Sequence, residues 1–492
     1  MMKIQAVAVL LALVMSLQAA GKPVQTGHHY SYVVDPYHAY SYEEMLEDAE
    51  ALQDMYPDLI YLDSIGQSVE GRDLILINFG NGERKIFLNG ALHACEYIST
   101  TYLMVMIDRY AYAYKNGGTY AGHDIKTVLD KVTFAITPML NPDGVNLVQN
   151  GTAALKSDAE AAKIFTGSGD WKANINGVDL NRNFDDNWYV DRPVNKPAPD
   201  GFKGYSPLSE PEAKAVEQFL NTNMCWAFIS FHSKGAGLYG WEDSNAKFYP
   251  QLDSMVSRIM EAGNYMKFID TADTDYGTFA GFARGTFLKP TLTVELCRYI
   301  PDSPYPDEDF DSCWEPAKSF CAIIAEEVLK MAPQEYLVFQ NARFLHAFCD
   351  EAYAMAFAAK WANSRVLKII GGYESLKSVS TSVVPVRINK TVTYIQAYNI
   401  GYNNYFKIRD LAAALTKTSA RFEAEYDSLQ GAVILTSGKE YTPVGGELIV
   451  QTTAERREAI LSTANVYLDG TAFNAYAFNI GDNNYIKLRD IA

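Results

Sequence analysis

Several features of nucleic-acid-binding, membrane-spanning or cysteine-rich proteins are missing from this sequence. Of its 492 residues 42 are basic and 59 acidic, and the formal net charge of -17 argues against nucleic acid or an anionic membrane surface as a partner. The 6 cysteines include no C-x-x-C pair, so we do not expect zinc held by cysteine. No apolar run is long enough for an integral membrane protein. The overall composition, 48% hydrophobic and 21% charged, is that of a globular protein.

The first twenty residues have the pattern of a secretory signal peptide. Lys3 precedes an apolar run over residues 6–15, and the small residues Ala19 and Ala20 follow it. We therefore expect residues 1–20 to be removed and the mature chain to be secreted, to the extracellular space or to a bacterial cell envelope.

The positions of the cysteines do not determine which disulfides an exported chain would form. Their spacing allows many pairings and does not choose among them. Cys297 and Cys313 flank a proline-rich loop, so a local bridge between them is one possibility. Buried free thiols are the other.

Two separated pieces of the chain carry the side chains of a candidate metal site. His93 and Glu96 are three residues apart, so on one helical turn both point to the same side and can reach one ion. His232 ends the apolar run at residues 225–231. Catalytic zinc is commonly bound by two histidines and one carboxylate, and its fourth coordination position stays open for water. Alternatively, each histidine is a hydrogen-bonded core residue, and the surrounding sequence has to decide.

That surrounding sequence alternates strand-like and helix-like patterns. An apolar run at 85–90 predicts a strand that leads into His93, and residues 101–107 predict the helix after it. An apolar, β-branched run at 290–296 carries a single acid, Glu295. Polar motifs stand between them at 138–144, 177–184 and 228–233. Such alternation indicates an α/β domain, with ligands at the carboxyl ends of its strands.

In this order the segments resemble the zinc metallocarboxypeptidase family of the carboxypeptidase A type. The resemblance covers roughly residues 30–330. It is closest to the bacterial gamma-D-glutamyl-diamino-acid peptidase branch, because the motif at 171–174 stands just before 177–182. It implies an α/β fold with a mixed twisted sheet flanked by helices, a bound Zn2+ and a catalytic domain over residues 21–332.

The resemblance implies that His93, Glu96 and His232 are the metal ligands and that Glu295 is the general base. Zinc lowers the pKa of a bound water from about 15.7 to about 7, so a neighbouring carboxylate can take its proton and return it to the leaving nitrogen. The alternative for Glu295 is a salt bridge at the end of a strand. Its apolar neighbours argue against that role, because burying an unpaired acid is costly.

Asn181 and Arg182 match the substrate-binding carboxylate clamp of the family. The planar fork of arginine binds a carboxylate through two parallel hydrogen bonds, which suits a free peptide terminus or the carboxyl group of a diamino acid. The alternative is a turn whose arginine forms a surface salt bridge. We expect Asp143 to be a turn residue, with contact to a ligand histidine as the other possibility.

The sequence departs from the family near the expected substrate pockets. Cys95 stands between the ligands where many relatives carry arginine, and Gly281-Phe282 replace an aspartate and a tryptophan. The oxyanion-stabilising arginine of the family has no clear counterpart; Lys172 is one candidate, and a solvated loop lysine is the alternative. Tyr276 falls in the loop where the family carries a gating tyrosine.

Beyond residue 332 the sequence changes character. Residues 333–380, rich in alanine and aromatic residues, predict a helical connector. Residues 397–412 recur as 477–492, which indicates a duplicated unit in a small α+β repeat domain over residues 381–492. This region resembles the amino-terminal stalk domain of copper amine oxidases. No histidine lies past His346, so the nitrogen ligands that copper prefers are missing and we expect a binding or spacer role.

Together these features predict a secreted zinc metallocarboxypeptidase that hydrolyses peptide bonds near a free carboxylate by zinc-activated water. Its partner would be a peptide substrate. Two alternatives stay open: a peptidase of cell-wall stem peptides that cleaves gamma-D-glutamyl-diamino acid bonds, and a non-catalytic protein that binds peptides in the same cleft. A non-catalytic relative of such an enzyme usually lacks one of the metal ligands or the general base, whereas the three candidate ligands and the candidate base are all present here.

Overall fold

A computed structural model describes most of the chain, except for residues at both termini and in short internal segments. The described residues are 32–240, 250–268, 276–301, 303–451, 453, 455–472 and 476–488. The predicted signal peptide at residues 1–20 lies outside them. Within these ranges, no helix has both the length and the hydropathy needed to cross a membrane.

The amino-terminal part is built on a mixed sheet. Its strands are β1 (Ile60–Gln67), β2 (Asp73–Phe79), β3 (Arg84–Asn89), β4 (Thr119–Tyr120), β5 (His123–Asp124), β6 (Val132–Thr137), β7 (Ala227–His232), β8 (Gly237–Tyr239), β9 (Met266–Lys267) and β10 (Thr291–Glu295). Strands β4 and β5 pair with each other, and the remaining strands form one sheet in the order β1-β2-β6-β3-β7-β10-β8-β9. Strands β6, β3, β7 and β10 are parallel neighbours, whereas β1 and β2 are antiparallel.

Helices lie on both faces of this sheet. They are α1 (Tyr42–Met55), α2 (Ile98–Lys115), α3 (Ile125–Lys131), α4 (Pro142–Asn150), α5 (Glu160–Ile164), α6 (Pro211–Thr222), α7 (Gln251–Gly263), α8 (Phe279–Phe287), α9 (Phe310–Ala317) and α10 (Phe320–Leu329). Ile86 and Leu88 of β3 pack into one apolar cluster, and Phe87 packs into the cluster on the opposite face. Burial on both faces explains why this strand is an uninterrupted apolar run. The predicted mixed sheet flanked by helices is confirmed.

The segment predicted as a helical connector instead contains a sheet. Strands β11 (Tyr336–Gln340), β12 (Arg343–Phe348) and β13 (Ser364–Lys368) pair antiparallel in the order β12-β11-β13, and helix is confined to α11 (Glu351–Ala358) and α12 (Glu374–Lys377). The prediction was wrong because the central strand β11 is buried on both faces: Val338 packs against the amino-terminal part, and Leu337 and Phe339 pack into a separate cluster. Without polar alternation, an apolar run does not distinguish a strand from a helix.

The carboxyl-terminal region is rich in strands. They are β14 (Val379–Ile388), β15 (Thr391–Ile400), β16 (Asn403–Lys407), β17 (Phe422–Asp427), β18 (Ala432–Ser437), β19 (Arg456–Arg457), β20 (Ile460–Leu461), β21 (Asn465–Leu468), β22 (Thr471–Ala472), β23 (Phe478–Ile480) and β24 (Asn483–Lys487). One sheet has the order β19-β14-β15-β16-β24-β23-β20, and another the order β17-β18-β21-β22. Helix α13 (Ile408–Leu415) follows β16.

The two sequence copies in this region form equivalent hairpins. Strands β15 and β16 turn at Gly401, and β23 and β24 turn at Gly481, both with φ of 53°. This left-handed backbone conformation favours glycine. Strand β16 pairs with β24, so the two hairpins lie side by side in one sheet.

Candidate active site

The side chains predicted as metal ligands converge at the carboxyl ends of neighbouring strands. His93 follows β3 through a short loop, and Glu96 ends the 3-10 turn Ala94–Glu96. His232 is the last residue of β7, which pairs in parallel with β3. All three side chains are buried. The sheet therefore brings together ligands that are far apart in the sequence.

Each carboxylate oxygen of Glu96 faces one histidine. Glu96 Oε1 lies 3.0 Å from Nδ1 of His93, and Glu96 Oε2 lies 2.8 Å from Nδ1 of His232. One donor atom from each of the three residues lies within 4.8 Å of the others. Two imidazole nitrogens and one carboxylate suit zinc, whereas calcium and magnesium prefer all-oxygen sites. The residues present thus fit a Zn2+ ion.

The second ring nitrogens of the two histidines have different partners. Nε2 of His93 lies 3.3 Å from Oδ1 of Asp179, whereas Nε2 of His232 lies 3.1 Å from the hydroxyl of Ser230. Burial lowers the pKa of His93, but Glu96 and Asp179 outweigh burial and raise it to about 9. His232 has only a neutral hydroxyl at this position, and burial holds its pKa below the usual value.

The carboxylates of the cluster are held in their ionised form. Despite burial, His93 and His232 hold the pKa of Glu96 well below its usual range. His93, Arg182 and Lys172 do the same for the buried Asp179. A carboxylate has to be ionised to bind a metal, so this electrostatic arrangement suits a ligand and its supporting acid.

Sequence analysis assigned no role to Asp179, which the structure places beside the candidate ligand His93. Its Oδ1 lies 3.3 Å from Nε2 of His93, and the other nitrogen of that ring, Nδ1, faces Glu96. The residue stands two positions before Asn181 in the same motif. This position in the sequence could have identified Asp179. A carboxylate two residues before Asn181 lies on the same turn, so the turn that places Asn181 also places the carboxylate.

Asp143, the other acid considered for this role, contacts a different residue. Its Oδ1 accepts a hydrogen bond from Nη1 of Arg72 at 2.6 Å, and its Oδ2 accepts one from the backbone N–H of Glu70 at 2.7 Å. The ion pair is buried. Asp143 thus ties the β1–β2 connection to the start of α4.

Glu295 lies next to His232 in the sheet. It is the last residue of β10, and the parallel register pairs it with His232. A Cβ on Gly235 would lie 2.8 Å from the Cβ of Glu295, so the absence of a side chain there leaves room for the carboxyl group. Burial, followed by the negative charge of Glu96, raises the pKa of Glu295 well above its usual range. A cation at the ligand cluster would offset this repulsion.

Asn181 and Arg182 lie in the 3-10 turn Leu180–Arg182, directly after Asp179. Oδ1 of Asn181 accepts a hydrogen bond from the backbone N–H of Phe279 at 3.0 Å, which ties the turn to the start of α8. Gly277 has a φ of 61°, and a Cβ there would lie 2.1 Å from the carbonyl oxygen of Arg182. Only glycine fits this contact. The half-buried Arg182 guanidinium lies 5.1 Å from the centre of the Tyr276 ring.

The backbone of Lys172 is fastened to the ligand segment. Ala94 N–H donates to the carbonyl of Lys172, and Cys95 N–H donates to the carbonyl of Trp171, both at 3.0 Å. The Lys172 ammonium lies 3.3 Å from Asp200. Burial lowers the pKa of Lys172, but Asp200 and Glu96 outweigh burial and raise it above the usual value. Lys172 is therefore a permanent cation beside the ligand cluster.

A disulfide joins Cys297 to Cys313. Cys297 stands two positions after Glu295, and its carbonyl accepts hydrogen bonds from the N–H groups of Gly235 and Ala236 at 2.7 and 2.9 Å. The bridge thus holds both the segment after Glu295 and the loop after His232. Cys95, Cys225 and Cys321 are buried free thiols.

Comparisons with known proteins identify the family of this chain. The zinc carboxypeptidase family model matches residues 45–285. Gamma-D-glutamyl-L-diamino acid endopeptidase 1 of Lysinibacillus sphaericus is 33% identical over 56% of this chain and 70% of its own length. Mast cell carboxypeptidase A of Homo sapiens is 30% identical over 39% of this chain and 44% of its own length.

Solved structures show the same fold. The crystal structure of thrombin activatable fibrinolysis inhibitor matches with a TM-score of 0.50 at 22% identity, over 59% of this chain and 74% of that one. Together with the relative that is 33% identical over 70% of its length, these findings establish the family: the chain belongs to the zinc carboxypeptidases.

Proposed function

We propose that the chain is a zinc-dependent carboxypeptidase in which His93, Glu96 and His232 hold the ion. The observation that carries this proposal is the convergence of their donor atoms within 4.8 Å, with Glu295 in register beside His232. Zinc, when bound there, supplies Lewis acidity towards a water molecule and the scissile carbonyl.

Glu295 is the general base of this proposal. Its ionised carboxylate takes a proton from the attacking water and returns it to the leaving nitrogen. Burial and Glu96 raise the pKa of this carboxyl when no cation is present, and a cation at the ligand cluster would offset the repulsion and favour the ionised form that accepts the proton. Asp179 positions the His93 ring, and Lys172 offers a cation to the oxygen on which negative charge develops.

Arg182 and Asn181 bind the free carboxylate of the substrate. The guanidinium of Arg182 can form two parallel hydrogen bonds with a carboxylate. Oδ1 of Asn181 is occupied by the Phe279 N–H, so its NH2 group is the donor left for the substrate. This clamp restricts cleavage to bonds near a free carboxylate.

Cell-wall stem peptides are a second substrate class for the same site. The relative that is 33% identical is named for a gamma-D-glutamyl-L-diamino acid bond. A diamino acid at the end of a stem peptide offers a free carboxyl group, which the clamp at Arg182 would bind as it binds a peptide terminus.

The location and the domain organisation are part of the proposal. Residues 1–20 would direct export, and the disulfide between Cys297 and Cys313 fits an oxidising compartment. Residues 21–332 would form the catalytic domain, and residues 381–492 would serve as a binding or spacer domain.

Metal analysis and a peptide panel test the function. We expect zinc in the purified protein, cleavage of a peptide with a free carboxyl terminus, and no cleavage of its amidated counterpart. A murein tripeptide tests the cell-wall substrate.

Glu295→Gln should lower kcat by about 10²- to 10⁴-fold and leave the zinc in place, whereas the exposed control Glu315→Gln should change neither kcat nor the zinc content. Equal cleavage of the free and amidated peptides would refute the clamp, and unchanged turnover of Glu295→Gln would refute the mechanism.

A further inference from the structure

Glu210 is a buried residue at the start of α6 whose contacts lie on both sides of the proposed clamp. It is 5% exposed and directly precedes the helix. Its Oε2 accepts hydrogen bonds from the side-chain amides of Asn174 and Asn176 at 2.8 and 2.9 Å. Its backbone N–H donates to Oδ1 of Asn183 at 3.1 Å. Glu210 therefore contacts both ends of the segment 174–183, which contains the clamp motif.

On one side, Asn174 connects Glu210 to the backbone that leads into Asp179. Oδ1 of Asn174 accepts from the backbone N–H groups of Asn176 and Val178 at 3.0 and 3.2 Å. The backbone N–H of Asn174 donates to the carbonyl of Val178 at 2.8 Å. Because Nδ2 of Asn174 is bonded to Glu210, both ends of its side-chain amide are used. The turn is thus closed directly before Asp179.

On the other side, a closed ring of hydrogen bonds follows Arg182. The buried Asn183 accepts from the backbone of Glu210, and its Nδ2 donates to the hydroxyl of Ser209 at 2.9 Å. The Ser209 hydroxyl in turn donates to Oε1 of Glu210 at 2.7 Å. Nδ2 of Asn183 also donates to the carbonyl of Lys203 at 2.9 Å. The backbone directly after Arg182 is therefore held by the same glutamate.

The side chain of Glu210 does not serve its own helix. A residue at this position usually caps the helix with its side chain, but within the described helix Pro211–Thr222 Glu210 forms no such hydrogen bond. Its carboxylate oxygens instead accept hydrogen bonds from three residues around the clamp motif. Burying a carboxylate is costly unless such bonds satisfy it, so these contacts determine where the side chain lies.

We infer that Glu210 is a positioning residue for both halves of the active site. Through the turn before it, Glu210 sets Asp179 beside His93. Through Asn183, it sets the backbone from which Arg182 reaches the substrate carboxylate. This inference rests on the proposed function, because it takes His93 as a metal ligand and Arg182 as the clamp. Its consequence is that one substitution at Glu210 weakens zinc binding and carboxylate recognition together.

Glu210→Ala should show both effects. Competition with a chelator should give a zinc affinity about tenfold lower, and KM for a peptide with a free carboxyl terminus should rise about tenfold. Glu210→Gln should restore most of both, because its carbonyl oxygen can accept the two asparagine amides and its NH2 group can donate to Ser209. Unchanged zinc affinity and KM in Glu210→Ala would overturn the inference.

Glu327→Ala is the matched control for loss of a buried carboxylate. Glu327 is 1% exposed and binds Arg258 and Lys330 rather than the segment 174–183. The substitution should lower the midpoint of thermal unfolding and leave zinc affinity and KM as they are. Equal losses of zinc affinity in Glu327→Ala and Glu210→Ala would reduce Glu210 to general stability and overturn its positioning role.

Two further variants test the route of each effect. If Glu210 acts on zinc through Asp179, adding Glu210→Ala to Asp179→Asn should weaken zinc binding little further, whereas an additive loss would overturn this route. Ser209→Ala removes only the hydroxyl between Asn183 and Glu210. It should raise KM and keep the zinc affinity, because the bond from Asn174 remains. This milder variant decides the clamp side even if Glu210→Ala does not fold.

Hydrogen exchange separates this inference from the proposed function. Mass spectrometry on the metal-free protein should show faster exchange within residues 174–183 of Glu210→Ala but not of Glu327→Ala. If the unmodified protein neither binds zinc nor cleaves a peptide while this contrast persists, the proposed function fails and the bracing of the segment by Glu210 stands. Exchange that Glu210→Ala leaves unchanged would overturn the bracing itself.

Discussion

Oε2 of Glu96 and Nδ1 of His232 lie 2.8 Å apart, although 136 positions separate the two residues in the sequence. The contact exists because β7 pairs in parallel with β3, so that both strands end at the same edge of the sheet. The carboxyl ends of parallel strands are where open α/β sheets hold their ligands. The fold thus brings the candidate metal ligands together at one edge of the sheet.

Replacing His232 by alanine should remove the metal. The change leaves Glu96 and His93 as the ligands, and activity should fall at least about a hundredfold. Elemental analysis after dialysis measures the zinc that remains. His123→Ala is the control, because His123 contacts Glu326 at 2.8 Å and has no part in the cluster. A variant that keeps full zinc would show that His232 is not a ligand.

Asp179→Asn should weaken zinc binding without removing a ligand. The carboxylate contacts Nε2 of His93, and loss of such an orienting contact typically costs about 10- to 100-fold in metal affinity or activity. Competition with a chelator gives the affinity. Asp185→Asn, an exposed acid six positions later, should bind zinc as the unmodified protein does. Equal affinities for the two variants would contradict the role given to Asp179.

Glu212→Gln should flatten the dependence of stability on pH. Burial, followed by repulsion from Glu210 and Asp143, raises the pKa of Glu212 from 4.5 to about 8. Between these values the unfolded chain loses the proton and the folded chain keeps it, so stability falls as pH rises through this window. Glutamine mimics the protonated form. The variant should match the unmodified protein in urea unfolding near pH 5 and exceed its stability near pH 8. Parallel pH profiles would mean that Glu212 is ionised in the folded chain.

Replacing both Cys297 and Cys313 by alanine should destabilise the amino-terminal part. The bridge spans 16 positions, and closing a loop of this length contributes about 3 kcal/mol. Thermal unfolding with and without a reductant measures the effect: the reductant should lower the midpoint of the unmodified protein and leave that of the double variant unchanged. Cys349→Ala removes an exposed free thiol and should cost little. A midpoint insensitive to reductant would argue against the disulfide.

Local patterns predicted the apolar strands and the pairing of His93 with Glu96. A run such as Ile86 to Leu88 marks a strand that is covered on both faces, and a spacing of three residues places two side chains on one turn. The same apolar pattern misled at residues 336–340, where a strand buried on both faces was taken for part of a helix. The hydrophobic pattern alone does not distinguish a buried strand from a buried helix, because the pattern reflects burial and not backbone conformation.

By itself the sequence determined which side chains are available for chemistry: His93 and Glu96 on one turn, a histidine and an acid at the ends of two apolar strands, and the clamp motif at Asn181 and Arg182. Only the tertiary structure decided that Asp179 and not Asp143 lies beside His93, that Cys297 pairs with Cys313, and that Arg192 lies with Arg182 on Tyr276. These contacts join segments that are distant in the chain. They depend on strand order and register, which spacing within one segment does not specify.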